Sequence, residues 1–257
     1  MPKTAASPYD ADAQAFITAA VITDVTQQGA INTLVLALKG YSIWTKFKAI
    51  YPIVGGTASQ HKYNLKDPRD LDAAFRLTYA VGVTHSSTGM VGNGSSGYAD
   101  TKLKPSTALT LNSTHYGYYS RNDNNLGEVE MGGLSGSLQN FLILRSSNLS
   151  YFVVHQNAPY TTFANTNSQG FYVANRTASN VVNGWKNGAK VVTTANLSTG
   201  LLGINLYLLA YNNGGITAGY STKQCAFASI GDGLTDAESA NLYTAVQAFQ
   251  TTLSRQV

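Results

Sequence analysis

A chain of 257 residues with 44% hydrophobic content is long and apolar enough to bury one large core, and its evenly spread aromatic and aliphatic side chains exclude an intrinsically disordered protein. Charged residues are only 12%, so Ser, Thr, Asn, Gln, Gly and Tyr must cover much of the surface. The net charge of +4 is carried by scattered Lys and Arg rather than one basic stretch, which argues against nucleic-acid binding, and no segment reaches the ~18 apolar residues of a membrane span, so no membrane insertion is expected.

Cys225 is the only cysteine, so no intrachain disulfide forms, and its apolar setting in Cys225–Ala228 reads as a small buried hydrophobe. Met1–Pro8 has no apolar h-region, so no signal peptide is expected and folding is assigned to a reducing cytoplasm. Ala11–Ala20 carries helix formers without Gly or Pro. A second helix is expected after Thr23-Asp24, with a capping-box Gln, an apolar stripe of Ile31, Leu34, Val35 and Leu38, and Gly40 at its C-cap. Residues 1–45 therefore read as a helical segment for attachment or oligomerisation, ahead of a β-sandwich over 46–257. Phe47–Val54 reads as a strand stopped by Pro52 and Gly55-Gly56, and His61–Asp67 as another stopped by Pro68. Asp70–Leu77 fits one helical turn or the start of a strand, and the Gly/Ser-rich Thr84–Asp100 reads as loop and turn.

A ladder of strands follows at roughly ten-residue spacing, as in a sandwich or barrel: Ser113–Arg121, Gly127–Met131, Asn140–Arg145 and Tyr151–His155. Gly170–Ala174 is the next strand. Asn180–Thr194 reads as a hairpin because Asn187-Gly188 supplies the two positive-φ residues of a tight turn. Leu206–Tyr211 and the stretch from Ala226 complete the strands. Thr235–Leu253 is a helix, with Thr235 and Glu238 as a capping box and Leu242, Val246, Phe249 and Leu253 as its stripe. The expected fold is a mostly β, antiparallel jelly-roll sandwich with an N-terminal helical pair and a C-terminal helix over one edge.

The hairpin at Trp185–Val191 and the segment Gly231-Asp232-Gly233-Leu234-Thr235-Asp236-Ala237-Glu238, which opens the last helix, resemble the closing half of laminin-G/concanavalin-A-like domains. That resemblance implies a jelly-roll sandwich used for adhesion and glycan recognition. Lys48–Pro52, Asn64–Leu77 and Ile230–Asp236 are similar to stretches in uncharacterised proteins of tailed bacteriophages. This second resemblance implies a virion structural protein of head, tail or fibre, assembled in the host cytoplasm. Its implied partners are other virion proteins, further copies of itself in a homo-oligomer, and host-surface polysaccharide.

Chemistry-bearing constellations are sparse. Glu128 and Glu130 share a strand face, as a glycosidase pair would, but lack the third acid of such motifs and read as a solvent-facing pair. Asp67, Asp70 and Asp72 lack a calcium-loop pattern, with Arg69 and Arg76 at hand as salt partners. His61, His85, His115 and His155 lack zinc spacing, and no nucleophile elbow, P-loop or dinucleotide fingerprint is present. No cofactor, metal or catalytic residue is assigned, and the expected protein is not an enzyme. The alternatives are a carbohydrate-active enzyme or a freestanding glycan-binding module on the same fold. The sixteen tyrosines and two tryptophans are the stronger signal, and Tyr98, Tyr160, Trp185 and Tyr211 are the candidate contacts to glycan or partner.

Overall fold

A computed structural model describes residues 8–257; of the Met1–Pro8 stretch read for a leader, residues 1–7 lie outside the described residues. The helices are α1 (Ala11–Ala19), α2 (Val25–Gly40), α3 (Ala58–His61), α4 (Pro105–Ala108) and α5 (Asp236–Thr252). The strands up to the middle of the chain are β1 (Phe47–Tyr51), β2 (Thr78–Tyr79), β3 (Val83–Ser86), β4 (Gly89–Gly92), β5 (Ala99–Asp100), β6 (Thr114–Ser120), β7 (Met131–Ser135), β8 (Leu138–Ser146) and β9 (Leu149–Val154). Beyond them come β10 (Thr162–Ala164), β11 (Gly170–Ala178), β12 (Val181–Lys186), β13 (Ala189–Thr194), β14 (Tyr207–Leu208), β15 (Tyr211–Asn213), β16 (Ile216–Ala218) and β17 (Cys225–Gly231).

Two sheets form the sandwich. The first runs β13-β12-β11-β6-β17-β4-β3, with β1 also on β17. The second runs β10-β9-β8-β7-β14-β5-β2, with β15 on β7 and β16 on β15. Pairing is antiparallel except between β15 and β7. The first sheet is covered on both faces, which is why β6 and β17 are buried at every residue. Alternation sends Tyr116, Tyr118, Tyr172 and Ala174 into the sandwich against Leu142, Leu144, Phe152 and Val154. The opposite side chains, Tyr119, Phe171, Val173 and Phe227, meet the apolar stripes of α1, α2 and α5. The result is three layers: helices, a covered sheet, and a second sheet whose outward side chains stay half-exposed. Helix α5 lies over the sheet face and not over an edge as expected, because Leu242, Val246 and Phe249 need that face for burial.

The long elements fall close to their expected places, with Thr235 and Glu238 forming the full capping box of α5. The N-cap of α2 is Asp24, whose side chain accepts from Gln27 N at 2.8 Å, but no capping box closes because Gln27 Oε1 accepts from Gly55 N at 2.7 Å. Gly40 stays helical, and the turn out of α2 comes at Ser42, with φ 58°. The expected strand His61–Asp67 is absent. Helix α3 ends there, and Asn64 fixes the following turn by accepting from Ile50 N at 2.9 Å and donating to Lys48 O and Ala74 O at 3.0 and 3.1 Å. Within Thr84–Asp100, read as loop, Val83–Ser86 and Gly89–Gly92 pair as a hairpin secured on β17 through Met90↔Cys225. The strand expected at Gly127–Met131 begins only at Met131. Leu206–Tyr211 is broken by Leu209, at φ 64°, into the short β14 and β15.

Lys48–Pro52, Asn64–Leu77 and Ile230–Asp236 meet at one joint. Besides the Asn64 bonds to β1, Phe47 pairs with Gly231, and Lys48 bridges Asp232 at 3.1 Å. His115 Nδ1 lies 2.7 Å from Asp232 O, and Lys46 reaches Glu238 at 2.6 Å. These contacts form the seam that ties the first strand to the last and opens α5.

Candidate functional site

The outward face of the second sheet carries the site, and strand alternation builds it. In β8, Asn140, Leu142 and Leu144 are buried, whereas Gln139, Phe141 and Ile143 on the other face are half-buried. Register places Tyr151 beside Ile143 and Val153 beside Phe141. On the other flank, Gly132 sits opposite Phe141 and next to both Tyr207 and Tyr211. The Phe141 and Tyr211 rings meet edge to face at 5.1 Å. Tyr98 stacks on Tyr207 at 4.6 Å, and Tyr160 meets the edge of Tyr151 at 6.3 Å. Tyr160 also donates its hydroxyl to Gln139 Oε1 at 2.6 Å. A Cβ on Gly132 would fall 2.8 Å from the Phe141 ring and 3.3 Å from Tyr211, so the glycine is what lets those two side chains close over the strand.

Three of the four expected contact residues, Tyr98, Tyr160 and Tyr211, therefore share one aromatic row across the sheet. Burial, with Asp100 nearby, pushes the Tyr207 hydroxyl up to about 12, so it stays protonated. The fourth residue, Trp185, lies elsewhere. It pairs with Val173 and Lys190 in the first sheet, is only 5% exposed, and packs in the helix-facing core. Its ring is therefore taken up in packing. Phe141 and Tyr151 were not among the candidates, because the run Phe141-Leu142-Ile143-Leu144 is apolar on both faces and marks neither as outward.

The acids behave differently from expectation. Glu128 and Glu130 are buried, not solvent-facing, and both bind the Lys223 ammonium at 3.0 Å. Glu130 also accepts from Leu144 N at 2.6 Å and from the Ser221 hydroxyl at 3.0 Å, and Glu128 accepts from the Thr222 hydroxyl at 2.6 Å. Burial works against ionisation at both. At Glu128 the Thr222 hydroxyl and the ammonium outweigh it and hold the carboxyl below its ordinary value; at Glu130 burial wins and raises it. This cluster pins the 221–223 segment to the strand edge and offers no open carboxylate pair to a sugar.

Asp67 and Asp70 are taken up by Arg69 and Arg76, with Lys62 also on Asp70. His61 and His85, distant in sequence, approach to 3.0 Å between their Nδ1 atoms, a pairing that spacing did not reveal. Among the described residues no group of three or more His, Cys, Asp or Glu is arranged to hold a metal ion.

No protein-family model matches the chain, and no curated protein matches it. Solved structures do. A mutant of Trypanosoma rangeli sialidase displaying trans-sialidase activity aligns at TM-score 0.58 with 9% identity, over 85% of this chain and 39% of the sialidase. The same sialidase in complex with a difluoro nononic acid gives 0.53 at 9% identity, over 84% and 39%. Domain 4 of an extracellular arabinanase from Geobacillus stearothermophilus, in complex with arabinotriose, gives 0.47 at 13% identity, over 77% of this chain and 98% of that domain. The chain spans well under half the length of the sialidases it matches. At these identities the likeness is one of fold, a two-sheet antiparallel sandwich.

Proposed function

We propose that the protein is a non-enzymatic glycan-binding module that uses the aromatic row of its second sheet. The observation that carries this reading is the set of half-exposed rings Tyr160, Tyr151, Phe141 and Tyr211 on one sheet face, with Tyr98 held at its end by stacking on the buried Tyr207. Exposed ring faces in a row pack against the apolar C–H faces of successive sugars, while Gln139 and the tyrosine hydroxyls supply hydrogen bonds. The laminin-G/concanavalin-A-like resemblance supports adhesion as the use of such a face. The enzyme alternative lacks support from Glu128 and Glu130, the pair that would suit a glycosidase, since both are buried on Lys223.

A virion setting rests on the sequence similarity of Lys48–Pro52, Asn64–Leu77 and Ile230–Asp236 alone. In that setting the module sits on head, tail or fibre beside other virion proteins and copies of itself, and contacts host-surface polysaccharide. The binding reading predicts that Tyr151→Ala and Tyr211→Ala each weaken retention on an immobilised glycan by about thirtyfold, the effect of losing about 2 kcal/mol at an aromatic hot spot. Both variants also lose half-buried packing, so their thermal midpoints should fall while the fold is kept. Unchanged glycan retention in both variants would refute the row as the binding face.

A further inference from the structure

The register that builds the aromatic row carries its line past the last ring. Leu208 and Ala99 pair with each other and face the core, so the neighbouring pair, Tyr207 and Asp100, faces outward. Gly132 pairs with both Phe141 and Tyr207. Phe141, Tyr207 and Asp100 therefore share one line across the strands, with Asp100 one strand, ~4.8 Å, beyond Tyr207. Tyr98, which stacks on Tyr207, lies two residues before Asp100 and on the same side of the chain.

This end of the line is charged but balanced. Asp100 Oδ2 holds the Lys102 ammonium at 3.0 Å, and both side chains stay partly open, at 13% and 23% exposure. The pair is fixed on both sides. Lys102 has a left-handed backbone, φ 58°, and its N–H donates to Asp100 Oδ1 at 2.8 Å. Asn205 Nδ2 donates to the two carboxylate oxygens at 3.0 and 3.1 Å, and Asn205 O in turn accepts from Asn212 Nδ2 at 3.0 Å. Three donor groups thus occupy a carboxylate that accepts about four hydrogen bonds, and among the described residues the ammonium gives only one of its three N–H groups, to Asp100. One acceptor position and two donors are left side by side, next to the rings.

We propose that Asp100 and Lys102 form the specificity end of the row and select a neutral sugar with adjacent hydroxyl groups. This inference rests on the glycan-binding reading. One sugar hydroxyl donates to the carboxylate while its neighbour accepts from the ammonium, so a single diol fills both remaining roles. A charged sugar gains from one member of the pair only by facing the like charge of the other, which selects against uronates, sulfates and amino sugars alike.

The test is an array of neutral glucans, galactans and arabinans printed beside their uronate, sulfated and O-methylated forms. It is probed with the full chain, with Asp100→Asn and with Lys102→Met, each checked for folding by its melting curve. Wild type should favour neutral over anionic members by about tenfold, equivalent to about 1.4 kcal/mol, and should lose the O-methylated ones. Asp100→Asn leaves the ammonium without its carboxylate, so its preference should move toward the anionic members. Lys102→Met leaves the carboxylate alone and should reject them more strongly than wild type does. A purely structural role would lower every signal together and leave the charge preference where it was. Hits with the same charge preference in all three proteins, or a wild type that favours anionic members, would overturn the assignment and leave the glycan reading standing. An array with no hits at all would overturn both.

Discussion

Replacing Lys223 with methionine is expected to cost about 3–5 kcal/mol at pH 7, because it strands two carboxylates away from water. Lys223 is fully buried, and Glu128 and Glu130 both bind its ammonium at 3.0 Å. The loss has a pH signature. In the wild type, Glu128 is held below its unfolded value, so its contribution is present above that value and lost as pH falls through the folded one; Glu130 is raised and works in the opposite sense. Without the ammonium both groups are raised. The folded chain then binds more protons than the unfolded chain above the ordinary carboxylate range near 4.3, so stability falls as pH rises through that window. Urea midpoints should therefore show Lys223→Met more stable at pH 5 than at pH 7, with no matching gain in the wild type. Combining it with Glu128→Gln and Glu130→Gln should recover much of the loss, separating charge from packing. A Lys223→Met midpoint equal to wild type at pH 7 would contradict the buried cluster.

Gly231→Ala carries the second large effect. A Cβ there would lie 2.3 Å from Lys46 O and 2.9 Å from Phe47 Cα, both backbone atoms of the paired segment. Side chains can rotate away from a clash, but this one moves only if β1 leaves β17, and overpacking of this kind costs about 3 kcal/mol. For a chain of this size that is a fall of roughly 6–12 °C in Tm. Gly203→Ala, whose Cβ would meet nothing within 4 Å, is the control expected to melt like wild type. Equal melting of Gly231→Ala and the control would show that the seam is looser than its geometry. The clash also gives a physical meaning to the glycines of Ile230–Asp236: Gly233 likewise approaches a backbone atom, Arg176 O, at 2.4 Å from its would-be Cβ.

What was legible in sequence was local. The capping box at Thr235, the Asn187-Gly188 turn with φ of 48° and 77°, and the long strands β6, β8, β9 and β11 are specified by residues close in the chain. What was not legible depends on register between distant segments. The Gly-rich β3–β4 hairpin is a strand pair because β17 lies beside it. His61–Asp67 alternates like a strand, yet Asn64 diverts its hydrogen bonds into a turn. Glu128 and Glu130 looked solvent-facing because their cation stands more than ninety residues away. The candidate site divides the same way. Tyr98, Tyr160 and Tyr211 were visible as aromatics in or beside loops, but their alignment needed the pairings of β7, whereas Trp185, beside the hairpin turn and open to packing or contact in sequence, lies in a strand beneath the helices.

The doubly covered first sheet also gives the molecule a front and a back. The helical layer and the aromatic row stand on opposite sides of two stacked sheets, with ~10 Å between the sheets. A copy mounted through its helices leaves the half-exposed rings facing away from the support, and neither contact obstructs the other. Many copies mounted that way would present parallel rows to one surface, and weak single-sugar contacts would then add through avidity, by factors of 10² or more, with no change in any one site.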